Sequence, residues 1–169
     1  MKELQAIVGH LNHGASGCVL ATLVAAEGSS YRKPGARMLI AEDGARLGSI
    51  SGGCLEEDLA ERAKRVSASG RPELAVYDTA ADNDLVWGVG QGCHGLVRVL
   101  LEPVPVRPPW AATVDENFRA GRPTELAVVW EGPGAAQGTV LCDARAAARL
   151  AGATGVFHET VEPTTLPGG

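Results

Sequence analysis

Three glycine-flanked segments gather most of the side chains in this 169-residue chain that could do chemistry. The first is Gly28-Ser29-Ser30-Tyr31-Arg32-Lys33-Pro34-Gly35-Ala36-Arg37-Met38. Hydroxyls and backbone N–H groups can surround a phosphate, Arg can grip it with two parallel hydrogen bonds, and Lys adds a point charge. The alternative is a solvated surface loop. The second is Ser49-Ile50-Ser51-Gly52-Gly53-Cys54-Leu55-Glu56-Glu57. Its glycines let backbone approach a ligand, and Cys54 falls at the start of a helix, where the dipole favours thiolate. Glu56, Glu57 and Asp58 act against this, because like charge disfavours ionisation. Ser51 suits an N-cap, with Glu56 or Glu57 as its capping partner. The alternative is a tight strand-to-helix turn with a buried Cys.

The third segment is Trp87-Gly88-Val89-Gly90-Gln91-Gly92-Cys93-His94-Gly95. Gly90, Gly92 and Gly95 make a formal G-x-G-x-x-G, but a strand follows where a dinucleotide site needs a helix. Cys93 and His94 suit metal ligation or a thiol with a basic neighbour, although adjacent strand residues point to opposite faces. A zinc site needs about four N or S ligands. No spacing unites Cys54, Cys93 and His94 with His10, His13 or His158. His10 and His13 read as a solvated helix face, and Asp78, Asp82 and Asp84 as a solvated turn. Cys18 and Cys142 read as small buried hydrophobes. None of the four cysteines forms a C-x-x-C pair.

The elements that position these segments follow from periodicity. Leu4, Ile7, Val8 and Leu11 share a helical stripe that stops at Gly14. Residues 18–26 read as a buried strand. Residues 37–42 and 47–51 read as a hairpin turning at Asp43-Gly44. Leu55, Leu59, Ala63 and Val66 form the stripe of a second helix. Strands follow at 73–79 and 95–102. In the latter, Val97, Val99 and Leu101 point one way and Arg98 and Glu102 the other. Beyond a stiff run of prolines at 103–109, the pattern predicts a helix over 110–120, a strand over 126–130, a hairpin over 130–141 and a helix over 143–150. The fold class is α+β: a mixed or antiparallel sheet with helices mainly on one face and no Rossmann unit.

The net charge of −5 argues against nucleic acid as the main partner. No apolar run approaches the ~20 residues of a membrane span. The N-terminal residues lack a signal-peptide pattern, so the expected compartment is the cytoplasm.

The three segments occur in a set order: Gly28 to Met38, Gly48 to Glu56, and Gly92-Cys93-His94-Gly95 before a strand ending Leu101-Glu102-Pro103. In this succession the chain resembles the XdhC/CoxI family, the xanthine dehydrogenase and CO dehydrogenase maturation factors, over residues 15–103. It departs from the family's pattern at His94, where many relatives have Gly, and at Tyr31, where Pro is common. The resemblance implies a chaperone that binds molybdenum cofactor in its molybdopterin form. Such a chaperone protects the cofactor while a cysteine desulfurase sulfurates it, then helps insert it into an apo molybdenum hydroxylase. Carried over by position, the resemblance implies cofactor binding by Ser29, Ser30, Arg32, Arg37, Ser51, Gly52, Gly53, Cys54, Gly92, Cys93 and His94. Cys54 and Cys93 are the candidate thiol ligands of molybdenum, and no catalytic residue is implied. The two thiols are expected in one cleft near residues 29–37.

The expected organisation is an N-terminal XdhC/CoxI-like domain over residues 1–105, an α/β extension over 106–160 packed on it, and a linker over 161–169 towards a Rossmann-like domain that this chain lacks. A homodimer is also expected. The alternatives are a thiol-based redox or sulfur-transfer enzyme using Cys54 or Cys93, and an interaction module that no longer binds cofactor.

Overall fold

The computed structural model describes residues 2–28, 30, 32–78, 95–132, 137–143, 146 and 150–163. Helix α1 (Lys2–Asn12) buries Leu4, Ile7, Val8 and Leu11, the stripe at 3.6-residue spacing. Strand β1 (Val19–Gly28) is followed by β2 (Arg37–Ile40), β3 (Arg46–Gly48), α2 (Glu56–Ser69), β4 (Glu73–Asp78) and β5 (Gly95–Pro103). These strands form one five-stranded sheet in the order β3-β2-β1-β5-β4, with every pairing antiparallel.

Because side chains alternate along a strand, β1 serves two cores. Val19, Ala21 and Leu23 face α2, where they join Leu59, Ala63 and Val66 with Met38, Ile40, Val99 and Leu101. Leu20 and Leu39 face the opposite way, onto α1 and α3 (Pro109–Arg119), and pack with Ile7, Leu11, Trp110 and Val114. Two of these three helices therefore share one face.

A second, three-stranded sheet covers more of that same face. It consists of β6 (Thr124–Glu131), β7 (Gly138–Leu141) and β8 (Gly155–Val161), in the order β7-β6-β8. The β6–β7 pair is the hairpin expected over 130–141, while the helix expected over 143–150 falls largely outside the described residues. β8 is not legible in the sequence, because its inward positions, Phe157, Glu159 and Val161, include a carboxylate that breaks the apolar/polar alternation. Its pairing with β6, from Thr124↔Val161 to Glu131↔Gly155, makes it a strand.

The second sheet changes the meaning of β5's polar side. Glu102 is buried and accepts hydrogen bonds from the Thr139 amide, at 2.8 Å, and the Thr139 hydroxyl. Arg98 lies 5.9 Å from the Trp130 ring centroid and pairs with Glu27. None of the described helices is long and apolar enough to cross a membrane.

On the α2 face a polar cluster closes the sheet edge. The Tyr77 hydroxyl donates to Asp58 at 2.6 Å, and Arg62 bridges Asp58 and Glu73, both at 2.6 Å. Burial, and then the Asp58 carboxylate, push the Tyr77 phenol well above its ordinary pKa. Tyr77→Phe removes one hydrogen bond from this cluster and should cost about 1 kcal/mol in urea denaturation at pH 7.

Candidate functional site

The strand directions bring the described residues that flank the three segments to one end of the first sheet. β1 rises to Gly28, opposite Gly95 at the start of β5. β4 ends at Asp78, opposite Leu96. β2 begins at Arg37 and β3 ends at Gly48, which pairs with Met38. Gly28, Arg37, Gly48, Asp78 and Gly95, the described strand ends that border the three segments, thus all lie at that end. Ser49 N donates to the Arg37 carbonyl at 3.1 Å, so the first two loops are joined directly. Ser29, Gly92, Cys93 and His94 lie outside the described residues, as do Asp82 and Asp84.

The loop at 49–55 is organised by a carboxylate. Gly52 and Gly53 take positive φ angles, 76° and 121°, which turn the chain back towards α2. Glu56 lies beneath the turn with its side chain buried. Its Oε1 accepts from Ile50 N at 3.0 Å, Ser51 N at 2.8 Å and the Ser49 hydroxyl at 3.1 Å. Its Oε2 accepts from Gly53 N at 2.8 Å, Leu55 N at 3.2 Å and the Ser51 hydroxyl at 2.5 Å. Burial alone would raise the pKa of this carboxyl. The Ser51 hydroxyl and the surrounding amides outweigh burial and hold it at about 2.

The capping arrangement differs in register from the one expected. α2 begins at Glu56, its N-cap is Leu55, and no side chain caps that residue. Ser51 Oγ instead accepts from Leu55 N at 2.8 Å, and Glu57 is drawn away into a fork with Arg46 at 2.8 and 3.0 Å. Cys54 is a free, exposed thiol, so the alternative of a buried cysteine in a tight turn does not hold. The glycines before it swing the residue outward while Leu55 takes the core position.

The loop at 29–37 places its cations on the face covered by α1 and the second sheet. Arg32 holds Glu3 of α1 through both guanidinium branches, at 3.2 and 2.6 Å. Lys33 is exposed. Arg37 is buried, pairs with Glu159 of β8 and donates to the Gly35 carbonyl at 3.2 Å. Ser30 is turned inward on the loop, its hydroxyl donating to the Arg32 carbonyl at 2.6 Å. Arg32, Lys33 and Arg37 line an open cavity of about 560 Å³, walled also by Pro34, Gly35, Ala36 and residues 159–162. The space is in the range of small-ligand sites. Residues 49–55 do not line it.

The remaining thiols and imidazoles do not join this site. Cys18 is buried, as expected. Cys142 is exposed rather than buried, because it follows the last paired residue of β7 at the rim of the second sheet. Its sulfur is 3.9 Å from His158 Nδ1, and partial burial, then Glu125 and Asp143, raise its pKa. His10 and His13 are exposed around α1. Among the described residues, no three His, Cys, Asp or Glu side chains cluster as a metal site.

Spacing signalled the cations and the thiol but not their partners. Glu3 and Glu159 lie 29 and 122 residues from the arginines they hold. The one local hint was Glu56 as a capping partner, and it takes a larger role than a capping box would give it.

Comparison with known proteins supports the resemblance and the fold. Residues 13–78 match the XdhC and CoxI family. Over 86 residues, 51% of this chain and 26% of the relative, the chain is 45% identical to a protein of Bacillus subtilis described as a probable xanthine dehydrogenase subunit. Over 61 residues, 36% of this chain and 19% of the relative, it is 43% identical to the molybdenum cofactor insertion chaperone PaoD from Escherichia coli. The crystal structure of a xanthine dehydrogenase from Bacillus halodurans superposes with a TM-score of 0.75 at 29% identity, covering 95% of this chain and 53% of the other. The chain spans about a quarter or less of the length of these curated relatives and about half of the solved one. Motif order, fold and sequence identity converge on one likeness: over residues 13–78 this chain is similar to the XdhC and CoxI family.

Proposed function

We propose that this chain binds molybdenum cofactor as cargo during the maturation of a molybdenum hydroxylase of the xanthine dehydrogenase type. The observation that carries this reading is that the strand ends bordering the three motif segments lie at one end of the sheet, with an exposed free thiol on one loop and a cation-lined cavity beside another. A soft thiolate donor suits molybdenum, and paired Arg and Lys suit the pterin's phosphate. When bound, the cargo supplies the oxygen- and sulfur-transfer chemistry of its metal, and the chain's own residues bind, orient and shield it.

In this reading Ser29, Ser30, Arg32 and Arg37 hold the phosphate and pterin. Ser51, Gly52, Gly53, Gly92 and His94 shape the loops around Cys54 and Cys93, the two thiols offered to the metal. The partners are a cysteine desulfurase, which sulfurates the held cofactor, and the apo-hydroxylase that receives it, with the carrier acting in the cytoplasm as a homodimer.

Molybdenum measured in the purified chain tests the reading. Cys54→Ala or Cys93→Ala should lower the retained metal by about tenfold or more, while Cys142→Ala, on the second sheet, should leave it unchanged. Full retention in both Cys54 and Cys93 variants would remove the thiols from the site. The exposure of Cys54 also suits a sulfur-transfer enzyme, a reading favoured if the metal-free chain consumed a sulfur donor with multiple turnovers.

A further inference from the structure

We infer that the groove between α1, residues 32–37 and β8 is a phosphate-monoester site closed by its own carboxylate, Glu3, which the incoming phosphate displaces from Arg32. The inference rests on the cargo reading above and adds to it how the phosphate end of the cargo is admitted and selected.

The cations of the groove are held unequally. Arg37 forms the wall: its side chain is 3% exposed, it is fastened to Glu159, and its Nε is buried without a hydrogen-bond partner among the described residues. Arg32 stands at the opening, 31% exposed, and Glu3, which it grips, is 41% exposed in the first turn of α1. Lys33, also lining the groove, forms no ion pair with any described carboxylate. An exposed ion pair such as Arg32–Glu3 contributes little to stability, so turning Glu3 out towards water costs little.

The charge count then sets the selectivity. With Glu3 in place, Arg32, Lys33 and Arg37 are matched by Glu3, Glu159 and Glu162. With Glu3 turned out, three lining cations face two lining carboxylates, and the N-terminal end of α1's dipole adds to the positive field. A monoanion would only replace Glu3 at equal charge. A phosphate monoester brings close to two charges and three acceptor oxygens, enough to engage the Arg32 fork and Lys33 together. Glu3 thus excludes carboxylates and phosphodiesters and yields to a phosphate monoester.

Titration of the full chain with inorganic phosphate, followed by calorimetry and with acetate as the monoanion control, tests this. Glu3→Gln should tighten phosphate binding about 2- to 5-fold, the range of an exposed ion pair. Arg32→Ala or Lys33→Ala should weaken it about tenfold, and Arg32→Lys should fall between. All three positions are on the surface, and unchanged circular dichroism would show the variants folded. The proposal is overturned if Glu3→Gln binds no tighter than the parent, if Arg32→Ala binds as well, or if acetate competes as well as phosphate. If it fails while the chain still retains molybdenum, the cargo reading survives with its phosphate seated elsewhere. If the phosphate series holds while molybdenum retention fails, the groove is a phosphate site and the cargo reading falls.

Discussion

Glu56→Ala should cost about 3 kcal/mol of stability at pH 7 and expose the amides of residues 50–55 to hydrogen exchange. The carboxyl titrates at about 2 in the folded chain against an ordinary value of 4.5, and each pKa unit is worth about 1.4 kcal/mol. The sign follows from which state holds the proton more tightly. The folded value is depressed, so the unfolded chain binds the proton first. The contribution is therefore complete above about pH 4.5 and disappears as the pH falls to about 2. Urea denaturation at pH 7 and near pH 2.5 should show the gap between parent and variant closing in acid, and a gap that persisted unchanged would count against this origin. Glu56→Gln should be nearly as damaging, because half of its amide would present N–H groups to N–H groups. On the cargo reading the variant also loses molybdenum, although the Cys54 thiol is untouched.

The second large effect is expected where the two sheets meet. Glu159→Ala strands the buried Arg37 guanidinium, whose Nε already has no hydrogen-bond partner among the described residues, and should cost about 3–5 kcal/mol. The double variant Arg37→Met with Glu159→Leu removes both charges and fills the space with apolar atoms. It should lie within about 1 kcal/mol of the parent, because a buried ion pair repays little more than its own desolvation. A double-mutant cycle by chemical denaturation reads the coupling directly. Additive single and double effects would show that Arg37 finds water or another acceptor once Glu159 is gone.

Both results concern features that local sequence pattern reveals unevenly. The stripe of Leu4, Ile7, Val8 and Leu11, and that of Leu59, Ala63 and Val66, are short-range periodicities, and each became the helix they predict. The thiol and the cations were legible as residue types set among glycines. What they touch was not. Glu3, Glu159 and Thr139 reach their partners across 29, 122 and 37 residues, and no spacing rule links such positions. Arg98 and Glu102 alternate with Val97, Val99 and Leu101 as a water-facing side would. They face a second sheet instead, in which the inward set of β8 includes the charged Glu159 and so hides the strand. Glu56 was legible only as a capping residue, because its grip on four amides depends on the glycine turn above it. Cys93 and His94 fall outside the described residues.

The order of strands in the first sheet has a bearing on how such a protein can change over generations. The match to the family model ends at Asp78, yet β5, which starts at Gly95, lies between β1 and β4. Without β5, β4 loses its neighbour and β1 shows a bare edge from Val19 to Gly28. Without residues 109–161, Leu20, Leu39 and Leu100 lose the layer that keeps them dry. The stretch matched by the family model is thus smaller than the stretch whose packing is self-contained. Any gene fusion or split that moves this fold has to carry at least β5 with it, and the later strands as well if the far face is to stay covered.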